Sequence, residues 1–148
     1  MKKDGHMFGV SVVSIDGKGL MITGPPGSGK SSLALHLIDR GAILIGDDGV
    51  SLVDQGAHLF ATPPINITGK LEIRGLGIVT VNATSAPLAL VLKLDPKAPR
   101  YPNDIERCNI SGYDIPSILF RGGDAIQAIR AEWAMRMHSL RFKDKKHG

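Results

Sequence analysis

Apolar residues in this chain come in short runs, rich in valine, isoleucine and leucine, and the runs are closed by glycine, proline or aspartate. That punctuation predicts strands and tight turns more often than long amphipathic helices. Residues 8–15 read as one strand, and Asp16-Gly17 is the preferred dipeptide of a two-residue hairpin turn, so residues 19–23 form the returning strand. Residues 32–38 have helical composition, and Gly41 sits where a helix C-cap belongs. Residues 42–45 predict a buried strand ending at Asp47-Asp48, and residues 50–53 and 57–61 flank Asp54-Gln55-Gly56 as a second hairpin. Pro63-Pro64 interrupts the sheet there. Two further strand-like runs cover 77–81 and 88–94, and residues 95–111, with Pro96, Pro99 and Pro102, read as an irregular, substrate-facing loop. Asp124 caps a C-terminal helix whose apolar face is Ala125, Ile126, Ile129, Trp133 and Met137, with Trp133 expected in the core or a subunit interface. The expected fold is a mixed α/β domain in which hairpins outnumber strand–helix–strand units, with residues 1–148 forming one domain.

One octapeptide changes the picture from fold to chemistry. Residues 24–31 read Gly-Pro-Pro-Gly-Ser-Gly-Lys-Ser, a complete G-x4-G-K-[ST] phosphate-binding loop, between a predicted strand and a predicted helix. Gly24, Gly27 and Gly29 let backbone N–H groups turn inward, with Pro25, Pro26 and Ser28 completing the loop. Lys30 is placed to reach the β- and γ-phosphates, and the Ser31 hydroxyl to ligate Mg²⁺. Strand, glycine loop and helix in that order aim a helix N-terminus at phosphate, which makes a nucleotide such as ATP the expected ligand.

Composition narrows the setting. At 148 residues the chain is long enough to bury a proper core, and its longest apolar runs are far too short to cross a bilayer. No sufficient apolar segment follows the charged start at Met1–His6, so a secretory signal is not expected. The single Cys108 excludes an intrachain disulfide and fits a reducing cytoplasm, and the five histidines show no ligand spacing. A net charge of +4 suits a phosphate binder and an acidic protein partner. The aromatic residues do not alternate with basic ones as a base-stacking surface requires, so nucleic acid is not an expected partner.

Two acidic sites accompany the loop. Asp47-Asp48 ends a buried strand one helix beyond it, a position from which a carboxylate either holds a metal through water or acts as a base. A solvated turn would have the same sequence. Glu72 and Arg74, two apart in Glu-Ile-Arg-Gly-Leu-Gly-Ile, point the same way if the segment is extended, although a surface ion pair would read identically.

Taken together, the loop, Asp47-Asp48 and the string Glu72-Ile73-Arg74-Gly75-Leu76-Gly77-Ile78 resemble the HPr kinase/phosphorylase family. The resemblance implies a phosphoenolpyruvate-carboxykinase-like sheet and covers nearly the whole chain as the catalytic domain alone, the short form without the N-terminal domain of many members. It implies ATP-dependent phosphorylation of a serine on an HPr-like phosphocarrier of the phosphotransferase system, with phosphorolysis as the reverse reaction. It further implies nucleotide binding by Gly24, Pro25, Pro26, Gly27, Ser28, Gly29, Lys30 and Ser31, Mg²⁺ ligation by Ser31 and Glu72, and Asp48 as catalytic base. Arg74 belongs to the strip used in both directions, and the arginine of a later loop maps to Arg100, with Arg107 as the alternative. A cytoplasmic hexamer is implied as well. The sequence departs from the pattern twice: Gly9 stands in register where a functional histidine usually precedes the loop, the nearest histidine being His6, and residues 116–121 keep only the proline-to-arginine spacing of the dephosphorylation motif. Two other functions compete, a small-molecule kinase with the same loop and a nucleotide-sensing module that would need neither Asp48 nor Glu72. A GTPase is disfavoured, because no Asn-Lys-x-Asp motif is present.

Overall fold

The computed structural model describes residues 5–102 and 104–142. Of the basic run at 141–146, residues 143–146 lie outside the described residues. Eleven strands and two helices follow in order: β1 Gly5–Phe8, β2 Ser11–Ile15, β3 Lys18–Thr23, α1 Lys30–Asp39, β4 Ile43–Gly46, β5 Gly49–Asp54, β6 Leu59–Thr62, β7 Lys70–Ile73, β8 Gly77–Thr80, β9 Ala86–Leu94, β10 Glu106–Ile110, β11 Tyr113–Phe120 and α2 Gln127–His138. Nine strands make one curled, mixed sheet, and β7 and β8 pair as a separate hairpin.

The sheet is organised about β9, whose sequence Ala-Pro-Leu-Ala-Leu-Val-Leu-Lys-Leu is nearly all apolar because both its faces are covered. One edge of β9 pairs in parallel with β3. The other edge is shared, antiparallel to β6 at Ala86 and Pro87 and parallel to β11 from Val91 to Leu94. Two apolar layers result. Val13, Leu20, Ile22, Leu90 and Leu92 face one way and pack against Leu33, Ala34 and Leu37 of α1 and Ala128, Ala131 and Met135 of α2. Val12, Met21, Leu88 and Val91 face the other way, against Val50, Leu52, Leu59, Ile110 and Ile115 of the surrounding hairpins. Strict alternation would put Leu88 and Leu90 on one face. A register shift skips Ala89 and sends them to opposite layers. The Ala89 carbonyl freed by this bulge accepts the Leu140 N–H at 2.9 Å, which ties the segment after α2 to the sheet.

Several expected elements form as read. Asp16 and Gly17 make the β2–β3 turn with φ of 50° and 81°, both left-handed as a type I′ turn requires. Past α1, the Gly41 N–H donates to the Ile38 carbonyl and the Ala42 N–H to the Leu37 carbonyl, each at 3.0 Å, a Schellman closure. The hairpin around Asp54-Gln55-Gly56 is present as β5–β6.

Four readings need correction. Residues 8–15 are two strands: β1 pairs with β5 and β2 with β3 and β4, because Gly9, at φ 73°, turns the chain and donates its N–H to the Asp48 carbonyl. Residues 106–110 within the expected loop are β10, and 113–120 are β11, an unread strand whose Pro116 is tolerated because its neighbour β10 pairs there across an edge. Arg74 is not on an extended segment with Glu72 but in the Arg74-Gly75-Leu76 turn between β7 and β8. The α2 face is inverted: Gln127, Ala128, Ala131 and Met135 are buried, whereas Ile126, Ile129, Trp133 and Met137 face outward. Small residues let α2 lie close against α1 and the sheet, so the bulky stripe cannot be the buried one. Trp133 is therefore outside the core of this chain.

The β4–β5 corner leaves no room for a side chain at Gly46, where a Cβ would lie 2.0 Å from the Gly49 carbonyl oxygen. Gly46→Ala is expected to lower unfolding stability by about 1–3 kcal/mol, because a backbone atom must yield. Urea unfolding checks this, and an unchanged midpoint would mean that the corner relaxes freely.

Candidate functional site

Strand direction gathers the chemistry at one end of the sheet. β3, β9 and β11 are mutually parallel, and β4 runs the same way because both it and β3 are antiparallel to β2. Four carboxyl ends therefore open on one side: the 24–31 loop after β3, Asp47 and Asp48 after β4, the segment carrying Arg100 after β9, and Arg121 after β11. Ser11, at the start of the antiparallel β2, joins them. Ligands of open α/β sheets bind outside such ends.

Within the loop, Gly27 and Gly29 take φ of 79° and 103°. Lys30 opens α1, and its ammonium donates to the carbonyls of Gly24 at 2.8 Å and Pro25 at 3.1 Å. The hydroxyl of Ser28 is buried with no hydrogen-bond partner among the described residues. A buried hydroxyl without a partner is costly unless something completes it. An anion seated in the loop would do so, and would also give the Lys30 ammonium a charged acceptor. These side chains fit a polyphosphate.

Asp47 organises the floor of the site. Its Oδ1 accepts from Ser31 Oγ at 2.8 Å and from Ser11 Oγ at 2.9 Å, joining the first turn of α1, the end of β4 and the start of β2 through one atom. Ser11 is 1% exposed, so its hydroxyl depends on that carboxylate. Ser31 Oγ and Asp47 present a pair of hard oxygens of the kind Mg²⁺ takes. Sequence reasoning put Ser31 with Glu72 and left Asp47 between a metal holder through water, a base and a solvated turn. The signal that selects Asp47 is its place at the end of a strand parallel to β3, which depends on the sheet order.

The remaining candidates are dispersed. Asp48 is exposed at φ 61°, and its carbonyl accepts the Gly9 N–H at 3.1 Å, so the position in register with the missing histidine is beside it. The His6 ring instead meets Ser51 Oγ at 3.0 Å. Glu72 and Arg74 are exposed on the β7–β8 hairpin, which docks on α1 through the buried Leu71. Among the described residues, no group of three or more His, Cys, Asp or Glu side chains is arranged to hold a metal ion. Arg100 is exposed in the loop after β9, its guanidinium 5.8 Å from the Tyr101 ring centre, and Arg107 lies on β10. Arg121 was read only as part of a weak motif. Its guanidinium donates to the Ala98 carbonyl at 3.3 Å, and its own carbonyl accepts from Arg130 at 2.6 Å, fastening the Arg100 segment to the end of β11.

This arrangement defines an α/β domain that presents a glycine loop, a lysine and a serine–carboxylate pair at the carboxyl ends of parallel strands. The chain belongs to the family of the HPr serine kinase C-terminal domain, whose model matches residues 1–89. It is 46% identical over 70 residues to an HPr kinase/phosphorylase of Clostridium beijerinckii, covering 47% of this chain and 23% of that protein. It is 44% identical over 78 residues to one of Clostridium novyi, covering 53% and 25%. The chain thus spans about a quarter of the length of the curated relatives it matches. The HPr(Ser) kinase/phosphatase of Coxiella burnetii has the same fold over 90% of this chain and 92% of that one, with 27% identity and a TM-score of 0.71. The family model stops before β9 is complete, whereas the structural likeness covers nine-tenths of the chain. Among the described residues, no helix is long and apolar enough to cross a membrane.

Asp47→Ala leaves the Ser11 and Ser31 hydroxyls without their acceptor and is expected to cost about 1–3 kcal/mol. A thermal or urea melt reads it, and a variant as stable as the parent would remove Asp47 as the organiser.

Proposed function

We propose that residues 1–148 act as one catalytic domain that transfers the γ-phosphoryl group of ATP to a serine hydroxyl of an HPr-like phosphocarrier. The observation that carries this reading is the bond from Ser31 to Asp47 beneath the loop, with Asp48 exposed beside it at the mouth. Lys30 leaves the Gly24 and Pro25 carbonyls to meet phosphate oxygens, and the loop N–H groups hold the nucleotide in line. Ser31 and Asp47 would hold Mg²⁺, with Glu72, exposed on the β7–β8 hairpin, as a further carboxylate. The ion supplies neutralising charge on the phosphoryl oxygens. Asp48 accepts the proton as the serine oxygen forms its bond to phosphorus and the bond to the β-phosphate oxygen breaks. A serine hydroxyl is a weak nucleophile near neutral pH, so a base within hydrogen-bond reach matters. Arg74 and Arg100, on separate exposed segments, meet the developing charge once the partner is seated. In phosphorolysis an inorganic phosphate oxygen forms the bond to the phosphoserine phosphorus as the bond to the serine oxygen breaks, and protonated Asp48 gives that oxygen its proton, leaving serine and pyrophosphate. We place the enzyme in the cytoplasm, as a homo-oligomer of hexameric form.

Transfer of labelled γ-phosphate from Mg-ATP to a purified HPr-like phosphocarrier tests the reading, with the acceptor serine changed to alanine as control. Serine-dependent labelling is expected; tight ATP binding without labelling would turn the assignment towards a nucleotide sensor. Asp48→Asn should lower turnover by about 10²–10⁴ with little change in ATP affinity. A collapse of affinity would instead make Asp48 a metal or structural residue. Glu72→Gln should raise the Mg²⁺ concentration at half-activity, and an unchanged requirement would remove Glu72 from the metal site.

A further inference from the structure

Of the residues that α2 buries, Gln127, Ala128, Ala131 and Met135, only Gln127 is polar, and it is 3% exposed. A methionine or leucine would fill that place without the cost of taking an amide out of water. The amide is engaged at both ends. Its Oε1 accepts the Gly123 N–H at 2.8 Å, and its Nε2 meets Nδ1 of His36, on α1, at 3.0 Å. A backbone N–H can only donate, so Oε1 must be the atom facing Gly123; Nε2 then donates and His36 Nδ1 accepts. The turn closes tightly on this group, for a Cβ at Gly122 would lie 3.2 Å from Oε1 and 3.5 Å from Leu94 Cδ2.

The turn held in this way carries the Arg100 segment. Arg121 donates to the Ala98 carbonyl at 3.3 Å, the Asp95 N–H donates to the Phe120 carbonyl at 3.0 Å, and Ala98 itself is buried. On the other side, His36 stands about 9 Å along α1 from Lys30, the residue that opens the helix at the glycine loop. One buried amide therefore ties the helix of the glycine loop to the turn that anchors the Arg100 segment. Arg130 also grips the turn, donating to the Arg121 carbonyl at 2.6 Å, but that bond and its pairing with Asp124 at 3.2 Å are both exposed. An exposed guanidinium holds geometry loosely, whereas a buried amide bonded at both ends makes a fixed point.

We propose that Gln127 is a positioning residue for phosphoryl transfer: through Gly123 and Arg121 it fixes the Arg100 segment relative to α1 and the glycine loop. The proposal rests on the kinase reading for the part that Arg100 plays, and on the hydrogen bonds above for the hold on its segment. Gln127 is buried beneath the turn and acts through other residues, so its loss leaves ATP affinity unchanged and lowers turnover. The bond to Gly123 also closes the start of α2. A contribution to stability alone would lower the melting midpoint and leave turnover per folded molecule intact.

Gln127→Met keeps the volume and removes both hydrogen bonds; Gly123 and His36 are exposed, so water takes up the groups released and the fold survives. Trypsin digestion of the full chain reads the hold directly, because Arg100 is exposed and cleavage after it requires its segment to open. That cleavage is expected to be about 2- to 10-fold faster in Gln127→Met, the loss of one hydrogen bond, at an unchanged melting midpoint. In the labelled-phosphate assay kcat is expected to fall about 10- to 100-fold with KM for ATP unchanged. Gln127→Glu, which keeps the acceptor for Gly123, restores most of both. Cleavage at the parent rate, faster cleavage with kcat intact, a lowered melting midpoint that accounts for both, or an equal loss in Gln127→Glu overturns the proposal. Digestion needs no activity: a parent protein that fails to label the phosphocarrier, together with faster cleavage in Gln127→Met, defeats the kinase reading and leaves the hold on the Arg100 segment standing.

Discussion

The structure depends on β9 being buried on both faces. A strand with no polar face can only be central, and three different partners use its two edges: β3 throughout, β6 at its start and β11 at its end. The β3–β9 pair is parallel, and that direction decides that the glycine loop at 24–31 and the segment after β9 emerge on the same side. The bulge at Ala89 lets one strand serve two apolar layers and offers a carbonyl that the chain after α2 comes back to occupy. Packing, topology and the position of the site thus follow from one element.

Once the strand ends are gathered, a single carboxylate connects them. Asp47 accepts from serines on β2 and α1, so the glycine loop, the β4–β5 corner and the sheet edge share one hydrogen-bonding centre. That corner can be so tight because Gly46 carries no Cβ, and Asp48 follows with a left-handed backbone. Gly9 reaches the same corner through its N–H. The segments bearing Arg100 and Glu72 are held less closely, by Arg121 and by Leu71 respectively, and both candidate side chains are exposed.

Local signals were reliable where local physics decides. The Asp16-Gly17 turn, the closure at Gly41 and the break at Pro63-Pro64 depend on the φ preferences of a few residues, and these were legible. The failures share a cause. Residues 8–15 look like one strand because apolar content continues across Gly9, and only the change of sheet partner shows two. β11 was hidden by Pro116, whose missing N–H matters less beside a short neighbour. On α2 the large apolar residues suggested the buried face, but the close approach of α1 admits only Ala128, Ala131 and Met135 with Gln127.

The amino-acid sequence by itself determined the glycine loop at 24–31 between a strand and a helix, the hairpin-rich α/β character and the family, because these reside in contiguous residues whose backbone preferences and side-chain chemistry need no partner. The tertiary structure alone decided that Asp47 is the residue joined to Ser31, that Arg74 leaves the strand carrying Glu72, and that Gln127 meets both His36 and Gly123. Each of these depends on strand order and helix docking, which arise from the cooperative burial of apolar faces far apart in the chain.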